Sequence, residues 1–346
     1  MTIPDTMQAV HLIGHGGPEA LQVRNDVAVP TPATGEVLIR VGAAGINNTD
    51  VNTRIGWYSK AVAGDTNAAA EALGATDDDA SWTGRPLVFP RIQGADCCGE
   101  IVAVGTGVDP ARIGERVLVA SLHPAADAVD DWDFITWGSE CDGGFAQYAI
   151  ARSDQTHAVN APLSDAELAS FPCAYSTAEN LISRAGCSAG DIVLITGASG
   201  GVGSAAIQLC KRRGATVIAM ASASKHAQME GLGADRLLDR TLVVDLVAGD
   251  GFPALIACLK RGGRYATSGA IGGPLVTLDV RDLYLKDLTF VGGTVQAAET
   301  MPNLISYIEA GEIKPLVAQT FPLAEIHKAQ DVFLQKKFVG KLVLLP

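Results

Sequence analysis

Residues 191–221 read DIVLITGASGGVGSAAIQLCKRRGATVIAMA. Within them Ala198-Ser199-Gly200-Gly201-Val202-Gly203 keeps a G-x-G-x-x-G spacing with Ala in the first place. That spacing suits phosphate binding. Gly200 lets the backbone approach a pyrophosphate, Gly203 lets a helix pack close on a strand, and the helix N-terminus offers unpaired N–H groups. A second stretch with chemical potential is Gly94-Ala95-Asp96-Cys97-Cys98-Gly99-Glu100, an acid followed by adjacent cysteines. Neighbouring side chains on a strand point to opposite faces, so this pair is badly placed to share a metal. Seven cysteines, an odd number with no C-x-x-C pair, predict reduced thiols in a cytoplasmic protein.

The glycine turn works only between the right elements. Ile192 to Ile195 is a short β-branched run, Ser204 to Arg213 has helix formers, Gly214 ends that helix, and Ala215 to Met220 reads as a second strand. A strand, turn, helix, strand unit of this kind is a dinucleotide site. NAD sites place a carboxylate at the end of the second strand to bind the ribose hydroxyls. Here that place holds Ala221-Ser222-Ala223-Ser224-Lys225. Hydroxyls from Ser222 and Ser224 and the ammonium of Lys225 suit a 2′-phosphate, which predicts NADP(H); otherwise Lys225 is a solvated helix residue.

At 346 residues, 48% of them hydrophobic, the chain has material for two packed domains. A formal charge of −12 argues against a nucleic-acid partner, because phosphate neutralisation needs clustered Lys and Arg. The acidic runs, Asp77 to Asp79 and Asp130 to Asp133, read as solvated loops. No basic leader precedes an apolar run, and no apolar stretch is long enough to span a bilayer, so no membrane partner is expected.

Several further stretches share an order and spacing with the cofactor turn. They are Gly35 to Val41, Gly45-Ile46-Asn47-Asn48-Thr49-Asp50, Gly94-Ala95-Asp96 leading into Gly99 to Gly105, Gly143 to Tyr148, Ser176-Thr177-Ala178, Gly262-Gly263-Arg264 and Gly340-Lys341-Leu342-Val343-Leu344. In this the chain resembles, nearly end to end, the medium-chain dehydrogenase/reductase superfamily. The resemblance implies an α/β fold with a GroES-like β-barrel catalytic domain at 1–155, a Rossmann domain with a doubly wound parallel sheet at 156–296, and a return to the catalytic domain at 297–346. Zinc alcohol dehydrogenases of this superfamily take a metal-binding Cys where this chain has Asn47 and a His where it has Ala95. Only Cys173 stands at a ligand-like place, and Cys141 is alone where a structural zinc lobe would be. A tetrahedral site needs three protein ligands plus water, so no metal is expected.

The zinc-free branch, quinone oxidoreductases and enoyl reductases, is what the residues resemble. It implies NADPH-dependent hydride transfer to a quinone or an α,β-unsaturated carbonyl, acceptors that spread the incoming charge without a Lewis acid. Two alternatives stand beside it: an NADP-dependent alcohol dehydrogenase or carbonyl reductase, and a non-catalytic NADPH-binding protein of the crystallin or redox-sensor kind. Within the resemblance, Asn47, Asp50 and Tyr58 correspond to catalytic positions. Tyr58 is the candidate proton donor or enolate partner, or else an aromatic covering its loop; Asp50 is either functional or a turn cap. Asn47, Thr177, Ser199, Gly200, Gly201, Val202, Gly203, Ser222, Ser224, Lys225, Ser268, Gly269 and Lys341 form the implied cofactor set. Leu288 to Thr294 reads as the last strand of the cofactor sheet, which in relatives pairs with its copy, implying a homodimer.

Two stretches depart from the simple pattern. Residues 59–90 are longer than quinone reductases need, with an Ala-rich start that predicts a short helix and with Trp82 and Phe89 as a roof for the cleft. A similar lengthening occurs in crotonyl-CoA reductases, but the insertions offer only Lys60, Arg85 and Arg91 for CoA phosphates. The other departure is geometric. Between Asp239 and the apolar run from Leu242 only residues 240–241 intervene, whereas strand order 3-2-1-4-5-6 demands a sideways crossing of about 14 Å and a return along the sheet. So short a link cannot make a parallel crossover, which predicts a lost segment or a rebuilt sheet edge near Arg240.

Overall fold

The computed structural model describes residues 2–66, 80–125, 128–130, 132–238 and 245–346. The predicted Ala-rich helix and the link at 239–244 lie outside the described residues.

The catalytic half is built round one long strand, Glu36–Ile46, buried along most of its length. It pairs antiparallel with Cys98–Val104, with Tyr148–Arg152 and, at its far end, with Lys341–Leu345. Arg116–Val119, Thr156–Ala158 and Val317–Pro322 complete a seven-stranded sheet. A three-stranded sheet of Thr6–Leu12, Leu21–Ala28 and Arg91–Ile92 lies beside it. Leu342, Val343 and Leu344 are wholly buried. At about 1.5–3 kcal/mol for each fully buried aliphatic side chain, this last strand is anchored strongly enough to carry Lys341 into the interior.

Cys97 and Cys98 are both buried, in different cores: Cys97 packs with the barrel residues around Ile46, and Cys98 with the cluster that runs into the cofactor half. Their opposite facing is the alternation of a strand. Gly94 adopts φ +106°, and a Cβ there would lie 2.5 Å from the Phe145 ring, so only glycine brings the two segments together.

In the cofactor half, Ile192–Ile195, Thr216–Met220 and Arg236–Leu238 form a parallel sheet in that order. Arg264–Thr267 and Thr289–Gly292 form a separate parallel pair. Between the two ladders Asp245 makes a single bridge to Thr267, and the Leu246 amide donates to Thr196 Oγ1 at 2.7 Å. The buried Asp245 carboxylate accepts from the amides of Val247 and Ala248 and from the Tyr265 phenol at 2.8 Å. Helix Thr300–Glu309 packs on helix Pro172–Arg184 of the cofactor half, so the return to the catalytic sheet is made by the strands after it. Among the described residues no helix is long and apolar enough to cross a membrane.

Candidate active site

Strand Glu36–Ile46 delivers Asn47, which is still extended (φ −125°, ψ 163°) and opens helix Asn48–Ile55. Asp50 caps that helix, accepting from the Asn47 amide at 2.7 Å and from the Ala95 amide at 3.3 Å. Burial raises its carboxyl to about 7, against the pull of the Asn47 amide and the Lys341 charge. Asp50 is not among the residues lining the cavity. Of the two readings offered for it, the cap is the one seen, and it joins the Asn47 loop to Gly94-Ala95-Asp96. Gly56 ends the helix in the left-handed region (φ 70°), turning Trp57 and Tyr58 back over the cleft.

The acid of the cysteine-bearing stretch has a clear part. Asp96 is fully buried, with Oδ2 accepting from Lys341 Nζ at 2.6 Å and Asn47 Nδ2 at 2.8 Å, and Oδ1 accepting from the Cys173 amide at 2.6 Å. Lys341 also donates to Asn47 Oδ1. A buried carboxylate so paired holds Asn47, Lys341 and the start of helix Pro172–Arg184 in one unit. These residues do not fit a zinc ion: an ammonium stands among them, and burial, with Asp96 nearby, pushes the Cys173 thiol up to about 12. Among the described residues no group of three metal-binding side chains exists.

A cavity of about 200 Å³ opens between the halves. Trp57, Tyr58, Trp82 and Phe333 wall it, and Tyr58 and Trp82 stack at 6.0 Å with an interplanar angle of 12°. The expected roof is half right: Phe89 packs instead on His15, at 5.1 Å. Tyr58 donates to Thr49 Oγ1 at 3.1 Å, and burial raises its pKa far above that of a free phenol, with the Thr49 and Asn52 side chains opposing. Arg85 and Arg91 of the insertion are paired with Asp133 and Asp142.

The cofactor turn closes the other wall. Gly200, Gly201, Val202 and Gly203 line the cavity with Asn47, Thr177, Ser268, Gly269 and Lys341. A Cβ on Gly203 would stand 2.3 Å from the Gly197 carbonyl, which explains its identity. Helix Gly201–Arg212 begins here with no side-chain cap, so its first amides have no partner within the helix. Ser199, Ser222, Ser224 and Lys225 gather just outside the cavity. Lys225 Nζ donates to Ser199 Oγ at 3.4 Å and to the Lys336 carbonyl at 2.8 Å, and the Ser222 and Ser224 hydroxyls are 3.5 Å apart.

Lys336 was not expected. Its ammonium donates to Asn48 Oδ1 at 2.8 Å and lies 3.4 Å from the centre of the Phe333 ring. Burial, with Lys225 adding repulsion, lowers it to about 7. It has no carboxylate partner among the described residues. A cation so placed, beside a phosphate-binding turn, fits an anionic ligand, and the glycine cradle fits a dinucleotide. The sequence signal was weak: Lys336-Lys337 reads as two more surface lysines until helix Ile326–Gln335 is seen to end at the cleft.

Two family profiles match the chain: "Alcohol dehydrogenase GroES-like domain" over residues 33–162 and "Zinc-binding dehydrogenase" over 201–310. An acryloyl-coenzyme A reductase of Metallosphaera sedula is 28% identical, the alignment covering 98% of this chain and 99% of that protein. A human quinone oxidoreductase is 25% identical over 98% of each chain. Among solved structures, a provisional alcohol dehydrogenase of Sinorhizobium meliloti is 44% identical, with a TM-score of 0.91 and 99% and 98% of the two chains covered. With barrel, glycine turn and interdomain cleft all present in one chain, and likeness running through both domains, this protein belongs to the medium-chain dehydrogenase/reductase superfamily and is an oxidoreductase of nicotinamide type.

Proposed function

We propose that the protein is a zinc-independent, NADPH-dependent reductase of quinones or of activated C=C bonds. The observation that carries this reading is the Lys341–Asp96–Asn47 unit, which sets an ammonium among the positions where a metal-dependent relative needs metal ligands. Supporting it, Ser222, Ser224, Lys225 and Lys336 present hydroxyls and charge to a 2′-phosphate, and no carboxylate stands at that strand end to repel it. Two relatives named for quinone and acryloyl-CoA reduction point the same way.

NADPH, when bound, supplies the hydride. The chain's own residues then have three tasks. Aromatic walls from Trp57, Trp82 and Phe333 hold a flat, apolar acceptor and exclude water. Tyr58 holds its proton at neutral pH, as any phenol does and the more firmly for its burial, so it can donate to a substrate oxygen that gains negative charge. Thr49 Oγ1 orients that proton until substrate arrives. Asn47 and Lys341, locked by Asp96, define the floor.

The decisive experiment is an NADPH-oxidation screen over quinones, enones, enoyl thioesters and aldehydes, with and without a chelator. Turnover of the first classes undisturbed by chelation is expected, with a lower KM for NADPH than for NADH. Chelator-sensitive activity, or oxidation of cinnamyl-type alcohols with NADP as the dominant reaction, would move the assignment to alcohol dehydrogenase. The reading includes a cytoplasmic, reducing setting, consistent with seven free cysteines, and a homodimer formed through the edge strand Thr289–Gly292.

A further inference from the structure

Two of the seven cysteines meet outside the cleft. Cys187 Sγ and Cys210 Sγ stand 3.9 Å apart although 23 positions separate them in the chain. Cys210 is wholly buried on helix Gly201–Arg212, whereas Cys187 is half-buried on the turn between helix Pro172–Arg184 and strand Ile192–Ile195. Two guanidinium groups approach this corner. Arg213 is held by Glu179 and by the Ser183 hydroxyl, each at 2.9 Å, and Arg264 by Asp191 at 2.6 Å.

The two thiols are made unequal by these surroundings. A hydrogen bond from Cys210 to the Cys187 thiolate holds the Cys187 thiol below its ordinary pKa, with Arg213 and Arg264 pulling the same way and burial and Asp191 opposing. That hydrogen bond and burial push Cys210 upward. An accessible thiol disposed to ionise, backed by a second thiol, is the arrangement that oxidants select. Bond formation requires the sulfurs to close by about 2 Å. Cys210 is fixed in its helix, so Cys187 makes that movement, on a turn that begins at Gly186 with φ +65°.

We propose that Cys187 and Cys210 are a peroxide-reactive pair, Cys187 attacking and Cys210 resolving, which closes reversibly to a disulfide between the cofactor helix and the end of helix Pro172–Arg184. The Cys187 thiolate attacks one oxygen of a hydroperoxide, the O–O bond breaks, and the other oxygen leaves as water or an alcohol. Cys187 is then a sulfenic acid. Cys210 Sγ attacks the Cys187 sulfur, the S–S bond forms, and the departing hydroxide takes the Cys210 proton. Two thiols are oxidised and one peroxide is reduced by two electrons. Neither cysteine is among the residues lining the cavity, so the proposal stands whichever acceptor the enzyme reduces.

Fully reduced protein is treated with hydrogen peroxide, alkylated in denaturant and digested with trypsin. No Lys or Arg lies between the two thiols, so both fall in one peptide, 185–211. This peptide is expected to become about 2 Da lighter than its reduced form, to lose both alkylation sites, and to regain them after dithiothreitol. It should do so roughly tenfold faster than Cys258 oxidises, a thiol that is exposed but donates to the Ala254 carbonyl. In Cys210→Ala, dimedone should trap Cys187 as the sulfenic acid; in Cys187→Ser, Cys210 should stay reduced. A peptide that remains fully alkylated while Cys258 oxidises overturns the proposal. So does passage of Cys187 to sulfinic acid in the unaltered protein, or oxidation of Cys210 in Cys187→Ser. Should either variant fail to fold, the peptide mass from the unaltered protein still decides.

Discussion

Tyr58 and Lys336 are the two residues whose chemistry depends most on what buries them. A phenol removed from water resists ionisation, which suits a proton donor and unsuits a base. Tyr58→Phe should therefore lower kcat by about 10² with little change in KM, the scale of a lost general acid. Steady-state NADPH oxidation checks this, and full turnover in the variant would remove Tyr58 from the chemistry. Lys336, lowered to about 7, is charged below that pH and neutral above it. Its attraction for a cofactor phosphate is thus present in acid and lost as pH rises, and binding above pH 7 takes up a proton. NADPH Kd measured by fluorescence should rise roughly tenfold between pH 6.5 and 8.5. In Lys336→Met the profile should be nearly flat and the pH 6.5 affinity lower. A steep profile in that variant would mean that another group titrates.

Among the elements, the segment at 245–251 is organised round one buried carboxylate. Asp245 collects two amides and a phenol, and the chain then turns through Ala248 at φ 54°, ψ −147°, a conformation close to glycine's alone. Leu246, from the same segment, lines the cavity. Strain of roughly 1–3 kcal/mol at such a residue outweighs the smaller entropic cost of glycine. Ala248→Gly should accordingly stabilise the protein by about 1 kcal/mol, raising the thermal midpoint by ~2 °C. Calorimetric melting tests this; a fall in midpoint would show that the Ala248 methyl group contributes packing that exceeds the strain.

For the whole molecule, several exposed apolar groups belong to the segments round the last strand of the cofactor half. Val280, Tyr284 and Leu285 on helix Val280–Leu285 are each more than half exposed, and Phe290 on the edge strand is 37% exposed. Unpaired strand edges with apolar faces invite another strand. Light scattering is expected to give twice the chain mass of 35.8 kDa, and Phe290→Asp to shift the species toward one chain. A single-chain mass for the unaltered protein at micromolar concentration would refute the dimer.

Local pattern by itself determined the glycine turn between strand and helix and the opposite facing of Cys97 and Cys98, because glycine spacing and strand alternation act over a few residues. Only tertiary structure decided that Asp50 takes up the capping role, that Phe89 leaves the roof to Trp82, and that Lys336 reaches Asn48 at the edge of the cavity. Each of those depends on burial and partners contributed from distant parts of the chain. Lys341 meets Asp96 across 245 positions. No window of sequence contains that contact, and it is the contact on which the floor of the cleft is built.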